Sequence, residues 1–460
     1  MTQDASTETP AHDRWQHELE TAVRDLGVPG AVLGILQDGA VSTYAAGVLG
    51  LDTGVEATPD AIFQFGSIGK VWTTTLVMQL VDEGVLRLDD PIGAVLPDVR
   101  VLDPEASARV TMRQLLSHAS GIDGDVFTDT GRGDDCVERY VEGLDGVGQL
   151  HAPGRSFSYC NAGFVIAGRV VEVLTGGTWD EAVRTRIVEP LGLRATVTLP
   201  EQALLHRVAI GHVPDEDGVP RQADRWMLPR SIGPAGLVSG TAEDLLVFVQ
   251  MHLSGGVTAS GARVLSSASV EAMSDHHNAV PEQRDDADSW GLGWMRRQWS
   301  GQTVIGHDGV TIGQQAYLRV VPSRSTAVVV LTNGGRANEL ADRLMRGVLG
   351  ELAGVDKPPL PVPSTEPAGD VRRLVGTYER RGTRFEVSEH AGSLRLRVTQ
   401  QVLSAPDRTA THDHVLEPVA PDLFVYRSPH SSWWVPVRFF SLPGGPDFLH
   451  TDLRSTPRTS

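Results

Sequence analysis

Apolar residues recur at helical spacing over residues 13–26, where Trp15, Leu19, Ala22, Val23 and Leu26 share a face and Gly27 follows as a C-terminal cap. The chain therefore predicts an opening amphipathic helix. Two β-rich runs, 30–36 and 40–48, flank Asp38-Gly39, a dipeptide suited to a tight hairpin turn. Residues 71–83 are apolar on most faces and stop at Gly84, the pattern of a helix buried inside a molecule. From about 89 to 290 helical patterns such as 161–174 and 242–253 alternate with Gly/Pro loops. Strand character returns at 292–299, 302–306, 314–321 and 326–331, before a helix at 338–352. A sheet divided between the two ends of one domain, with a helical insertion between them, connects these pieces most simply.

A chain of 460 residues exceeds one ordinary core, so a second unit is expected. Residues 356–369 contain Asp-Lys-Pro-Pro-Leu-Pro-Val-Pro-Ser-Thr-Glu-Pro, too proline-rich for a helix or a central strand. This segment reads as a linker between a catalytic domain over 1–355 and a small all-β unit over 370–460. Within the latter, short alternating runs at 383–387, 393–398, 423–426, 434–440 and 448–452 indicate a barrel or sandwich.

The formal net charge of −18 argues against nucleic acid and against an anionic membrane surface as partners. No apolar run reaches the roughly 18 residues of a membrane span, and the polar, acidic N-terminus lacks a signal-peptide pattern, so a cytoplasmic location is expected. Two cysteines, Cys136 and Cys160, make no disulfide framework and read as core residues. Of 40 basic residues only Lys70 and Lys357 are lysines. That bias gives Lys70 weight, because a desolvated lysine can lose its proton whereas arginine cannot.

Ser67-Ile68-Gly69-Lys70 follows an apolar strand-like stretch and opens the buried helix, so Lys70 lies one turn from Ser67 on the same face. The spacing suits a nucleophile and its base, and the helix N-terminus makes the Ser67 amide a candidate oxyanion donor. In Ser158-Tyr159-Cys160-Asn161, a phenol held ionised near a lysine could serve as general base, and the Asn161 amide could orient a substrate carbonyl. Equally, Tyr159 could be an ordinary core tyrosine. His307-Asp308-Gly309 ends a strand; His307 could face a cleft while Gly309 admits substrate to the backbone and Val310 supplies a second oxyanion N–H. The alternative is a polar turn.

In this order, Ser-x-x-Lys, Tyr-x-Asn and His-x-Gly resemble the serine β-lactamase and penicillin-binding-protein superfamily. The likeness is to its class C-like branch of esterases, D-amino-acid peptidases and DD-peptidases. It spans roughly 15–350 and includes LRLDDPIGAVLP at 86–97, TMRQLLSHASG at 111–121 and PAGLVS at 234–239. The resemblance implies an α/β (α+β) fold, an antiparallel sheet flanked by helices with a helical subdomain, and a site at their junction. It also implies a covalent acyl-enzyme on Ser67, with Lys70 and Tyr159 catalytic and no metal or cofactor. The C-terminal unit resembles the lipocalin-like β-domains appended to some members. It is expected to shape the cleft without supplying catalytic groups, since all three motifs precede the linker.

Class C β-lactamases usually carry Lys where this chain has His307, and they are exported. An esterase or D-amino-acid peptidase acting on a small ester, amide or short peptide therefore fits better than a resistance enzyme. Transfer of the acyl group to an amine, including peptide cyclisation, and a non-catalytic sensor remain alternatives. A Ser-His-Asp hydrolase is disfavoured because Phe65 occupies the first position of the Gly-x-Ser-x-Gly elbow. The fifteen histidines form no His-Glu-x-x-His, and His412-Asp413-His414 reads as a surface pattern, so no metal is expected.

Overall fold

A computed structural model describes residues 11–215, 217–284, 287–364, 370–402, 405–427 and 433–460. The start of the acidic N-terminal stretch, 1–10, and positions 365–369 of the expected linker lie outside the described residues. Helix α1 (Ala11–Leu26) leads into strands β1 (Gly30–Gln37) and β2 (Ala40–Gly47). Their turn has Asp38 and Gly39 both at positive φ, 49° and 86°, the backbone of the hairpin predicted from that dipeptide.

The chain returns to this sheet only after the helical middle. Strands β3 (Asn278–Arg284), β4 (Ala287–Trp290), β5 (Met295–Trp299), β6 (Gln302–Val310), β7 (Gln315–Val321) and β8 (Thr326–Thr332) complete it. The order is β2-β1-β8-β7-β6-β5-β4-β3, antiparallel throughout. The helical insertion expected to reach 290 therefore ends earlier. Pro281 and the acidic, non-alternating sequence around it hide β3 and β4; β3 is the sheet's edge, where half the backbone groups need no strand partner and a proline is tolerated.

Alternation along the central strands feeds two cores. Ala31, Leu33, Ile35, Val328 and Val330 face α1 and α5 (Ala337–Ala353), once α2 (Gly69–Asp82), α3 (Asn161–Thr175) and α4 (Ala242–Leu253) have been placed on the opposite side. Val32, Leu36, Val329 and Leu331 meet that second layer. Helix α2 is buried from Gly69 to Leu80, as its all-round apolarity requires. Trp72 stacks on Phe248 of α4 with ring centroids 4.2 Å apart, and Trp179 Nε1 donates to Thr73 Oγ1 at 3.0 Å. These contacts fix the helix that carries Lys70.

Beyond α5 the proline-rich segment first packs back on that helix: Lys357 Nζ donates to Asp342 Oδ1 at 2.8 Å and Arg346 to the Pro358 carbonyl at 3.1 Å. Eight strands then follow, β9 (Gly376–Arg380), β10 (Thr383–His390), β11 (Ser393–Val402), β12 (Ala405–Ala420), β13 (Leu423–Arg427), β14 (Trp434–Ser441), β15 (Asp447–Thr451) and β16 (Arg454–Pro457). Each pairs with the next, and a Tyr378–Arg458 bridge brings the ends together into a nearly closed barrel around Phe385, Leu396, Phe424 and Phe439. The β-rich C-terminal unit was legible; β9, β12 and β16 were not, because their sequences lack clean alternation. No described helix is long and apolar enough to cross a membrane.

Truncating Trp72 to Ala should destabilise the protein by about 3–5 kcal/mol, the range for removing a large aromatic from a close-packed core. Urea unfolding monitored by far-UV circular dichroism would measure it; a change below about 1 kcal/mol would mean that α2 is held chiefly by other contacts.

Candidate active site

The nucleophile candidate sits on a turn built by close backbone approach. After the two-residue strand Phe63–Gln64, Gly66 adopts φ 53° and a single 3₁₀ turn, Gly66–Ile68, runs into α2 with Ser67 half-buried at its centre. Strand β6 presses against this turn. A Cβ on Gly309 would lie 1.9 Å from the Phe65 carbonyl oxygen and 3.0 Å from Ser67 N, and one on Gly66 would lie 2.7 Å from Val310 N. The glycine of the His-x-Gly motif is thus required by protein backbone, and it brings Val310 beside the start of the helix.

Lys70 is fully buried, and its amino group meets Ser67 Oγ at 3.0 Å, Asn161 Oδ1 at 2.8 Å and the Ala235 carbonyl at 2.6 Å. Burial lowers its proton affinity well below that of an ordinary lysine; Arg454 pushes in the same direction, while Asp125 and Cys160 oppose. The Asn161 amide oxygen and the Ala235 carbonyl can only accept. A neutral Lys70 amine gives them its two N–H groups and keeps its lone pair for the proton of Ser67.

Tyr159 is buried and hydrogen-bonded to Ser67, with its ring centroid 4.9 Å from Lys70 Nζ. Burial raises its phenol well above the usual range, against the smaller opposing pulls of the Ser67 hydrogen bond and Arg454. The expectation of an ionised Tyr159 is thereby corrected: the desolvated site favours a neutral phenol beside a lysine of weakened basicity. His118 stacks on the Tyr159 ring, centroids 4.1 Å apart, and accepts from Cys160 N at 2.9 Å.

Asn161 opens α3 with its amide already engaged on both sides. Oδ1 receives Lys70, and Nδ2 donates to Asp125 Oδ1 at 2.9 Å. His307 is buried; its Nδ1 donates to the Asp308 carbonyl at 2.6 Å, while Nε2 has no partner among the described residues. Burial, reinforced by Lys70, pushes this imidazole down to about 3, so it is neutral at physiological pH. Cys136 and Cys160 are free and buried, with burial raising their thiols to about 11 and about 12. They are inert packing residues, as the sequence indicated.

Sequence reasoning missed the contribution of the barrel. The cleft has a volume of about 490 Å³ and is lined by Ser67, Tyr159, Asn161 and His307 on one side, and by Trp433, Val435, Leu453 and Arg454 on the other. The Arg454 guanidinium lies 4.7 Å from the Tyr159 ring centroid, and the Tyr159 amide donates to the Leu453 carbonyl at 2.8 Å. A unit expected only to shape the cleft therefore also places a charged group against Tyr159. No linear motif announces this, because Arg454 lies almost 300 positions beyond Tyr159.

The beta-lactamase family model matches residues 15–350. Penicillin-binding protein 4 of Amycolatopsis lactamdurans is 48% identical over 374 residues, 81% of this chain and 98% of that protein. D-aminopeptidase of Brucella anthropi is 27% identical over 351 residues, covering 72% of this chain and 62% of its own length. The crystal structure of SurE matches with a TM-score of 0.80 and 32% identity over 97% of this chain and 99% of that one. A structure of SurE with D-Leu gives 0.77 and 31% over the same shares.

Gly309→Ala should displace β6 from the Ser67 turn and reduce ester turnover by roughly a hundredfold, the scale of a misplacement near 1 Å. Gly93→Ala, where a Cβ would meet nothing within 4 Å, is the control. Equal turnover in the two variants would show that the close approach does not matter to activity.

Proposed function

The chain belongs to the beta-lactamase family, and from that premise we propose that it forms a covalent acyl-enzyme on Ser67 from a small ester, amide or peptide, as an esterase or D-amino-acid peptidase does. The carrying observation is the Lys70 amine, which is buried and held by two pure acceptors with its remaining position on Ser67 Oγ.

Ser67 Oγ attacks the substrate carbonyl carbon as Lys70 takes its proton. The developing oxyanion lies between the Ser67 and Val310 N–H groups, at the helix start and beside the strand that Gly309 admits. The Tyr159 phenol passes a proton toward the departing alcohol or amine and is replenished from Lys70, so the bond to the leaving group breaks with its charge neutralised. Asn161, with one amide N–H committed to Asp125, has a second for the substrate carbonyl. Water then attacks the Ser67 ester and releases the acid.

D-configured substrates are favoured by the relatives: one is named a D-aminopeptidase, and SurE has been solved with D-Leu. A β-lactamase is disfavoured because neutral His307 cannot supply the fixed positive charge of a lysine at that place. A second reading, transfer of the acyl group to an amine, draws support from the barrel lining the cleft and from a volume in the range of pockets that hold drug-sized ligands.

Ser67→Ala should fold normally and lose several orders of magnitude in turnover of D-aminoacyl p-nitrophenyl esters, on the order of 10⁶ if it behaves like a triad serine. Intact-mass spectrometry should find the acyl adduct on the wild type alone; turnover within tenfold of wild type would exclude Ser67. Lys70→Arg should keep its melting temperature yet acylate at least about a thousandfold more slowly, because guanidinium cannot take the proton. Adding D-amino-acid esters as acceptors decides the fate of the acyl group. Amide product exceeding free acid would favour the transferase, and acid alone the hydrolase.

A further inference from the structure

Behind Asn161 stands a carboxylate that no motif marks. Asp125 Oδ1 accepts from Asn161 Nδ2 at 2.9 Å and from Arg454 Nη2 at 3.2 Å, and its Oδ2 accepts from Arg454 Nε at 3.0 Å and Arg380 Nη1 at 3.0 Å. Both arginines belong to the barrel, at the end of β9 and the start of β16. Burial alone would raise this carboxyl, but the two guanidinium groups and the Asn161 hydrogen bond hold it down to about 2, so it is charged at any working pH.

The backbone of the same two hairpin tips also bonds to the segments beside Asp125 and Asn161. Arg381 N donates to Asp123 Oδ2 at 2.6 Å, Ser455 N to Ser158 Oγ at 3.2 Å, and Tyr159 N to the Leu453 carbonyl. The β15–β16 tip keeps Asp452 and Leu453 left-handed, at φ 48° and 66°, a backbone that a bulky side chain rarely adopts.

An amide side chain has no preference of its own for which end faces a lysine. A carboxylate, which can only accept, must face the amide nitrogen, and the oxygen is then turned to Lys70. With the amide reversed, an N–H would oppose the amine, and the lone pair would lose its direction toward Ser67. We propose that Asp125 is a positioning residue: clamped by Arg380 and Arg454, it turns the Asn161 amide toward Lys70, so that docking of the C-terminal barrel completes the catalytic centre. The proposal rests on the acyl-enzyme reading above.

The groups facing Lys70 are Asp125, Cys160, Tyr159, His118 and His307 from the catalytic unit and Arg454 from the barrel. Asp125 favours the charged amine and Arg454 disfavours it. Lys70 works as the neutral amine, so the acidic limb of the acylation rate follows its proton affinity. Removing the negative charge in Asp125→Asn should move that limb to lower pH. Removing the positive charge in Arg454→Gln should move it to higher pH.

The experiment is pre-steady-state acylation by a chromogenic D-aminoacyl ester across pH, on full-length protein, with melting curves and intact-mass detection of the Ser67 adduct. Asp125→Asn is expected to lower the limiting acylation rate about 10- to 100-fold with little change in KM, and the two limbs to move in opposite directions. Limbs that stay fixed, or an Asp125→Asn rate within about twofold of wild type, would overturn the proposal. If Asp125→Asn does not fold, Arg380→Gln carries the test, since it removes one clamp and keeps the carboxylate. A slower acylation at unchanged KM supports positioning, and an unchanged rate overturns it. A wild-type protein that forms no Ser67 adduct would instead overturn the acyl-enzyme reading.

Discussion

A lysine amino group taken out of water must be given partners or give up its charge, and in this protein Lys70 has nowhere to reach solvent. Its partners come from three separate parts of the chain: Ser67 one turn back, Asn161 at the head of α3, and Ala235 in the Pro-Ala-Gly segment. Each must be placed to a few tenths of an ångström for the arrangement to persist. Much of the surrounding architecture can be understood as the means of holding them there. Helix α2 is buried on every side, α3 packs its Gly168 against Pro234, and Trp179 bridges to Thr73.

The large sheet contributes at one point, where β6 crosses the Ser67 turn with no side chain between. Two glycines from distant parts of the sequence, Gly66 and Gly309, permit backbone to touch backbone there. The strand is held in turn by Asp308, whose carboxylate is bound by Arg319 of β7 with an Nη2–Oδ2 distance of 3.0 Å. A small, rigid junction of helix start and strand edge results, the kind of preorganised dipole that serves an oxyanion without rearrangement.

Charge in the cleft is arranged by burial more than by pairing. His118, His307 and Tyr159 are all driven toward their neutral forms, and Lys70 is driven the same way. Among the fixed charges nearby, Asp125 and Arg454 of the barrel act on the Lys70 proton in opposite directions, the carboxylate favouring it and the guanidinium opposing it. A barrel that looks like an appendage in the order of the chain is, in space, a wall of the cleft that holds Ser67.

Periodicity and turn chemistry made the helices at 11–26, 69–82, 161–175, 242–253 and 337–353 and the central strands legible, since each of these segments carries its own hydrophobic face. That Ser67 and Lys70 would lie side by side was also legible, because residues one helical turn apart share a face, and so was the helix that Asn161 opens. The edge strand β3, its neighbour β4 and the long β12 were hidden because their proline and charged residues erase alternation, which at β3 the sheet edge tolerates. Tertiary structure alone decided that Tyr159 is neutral, that Gly309 is needed by the Phe65 backbone, and that Asp125, Arg380 and Arg454 meet behind Asn161. Desolvation and ion pairing depend on which distant segments fold against one another, and no local spacing in a chain carries that information.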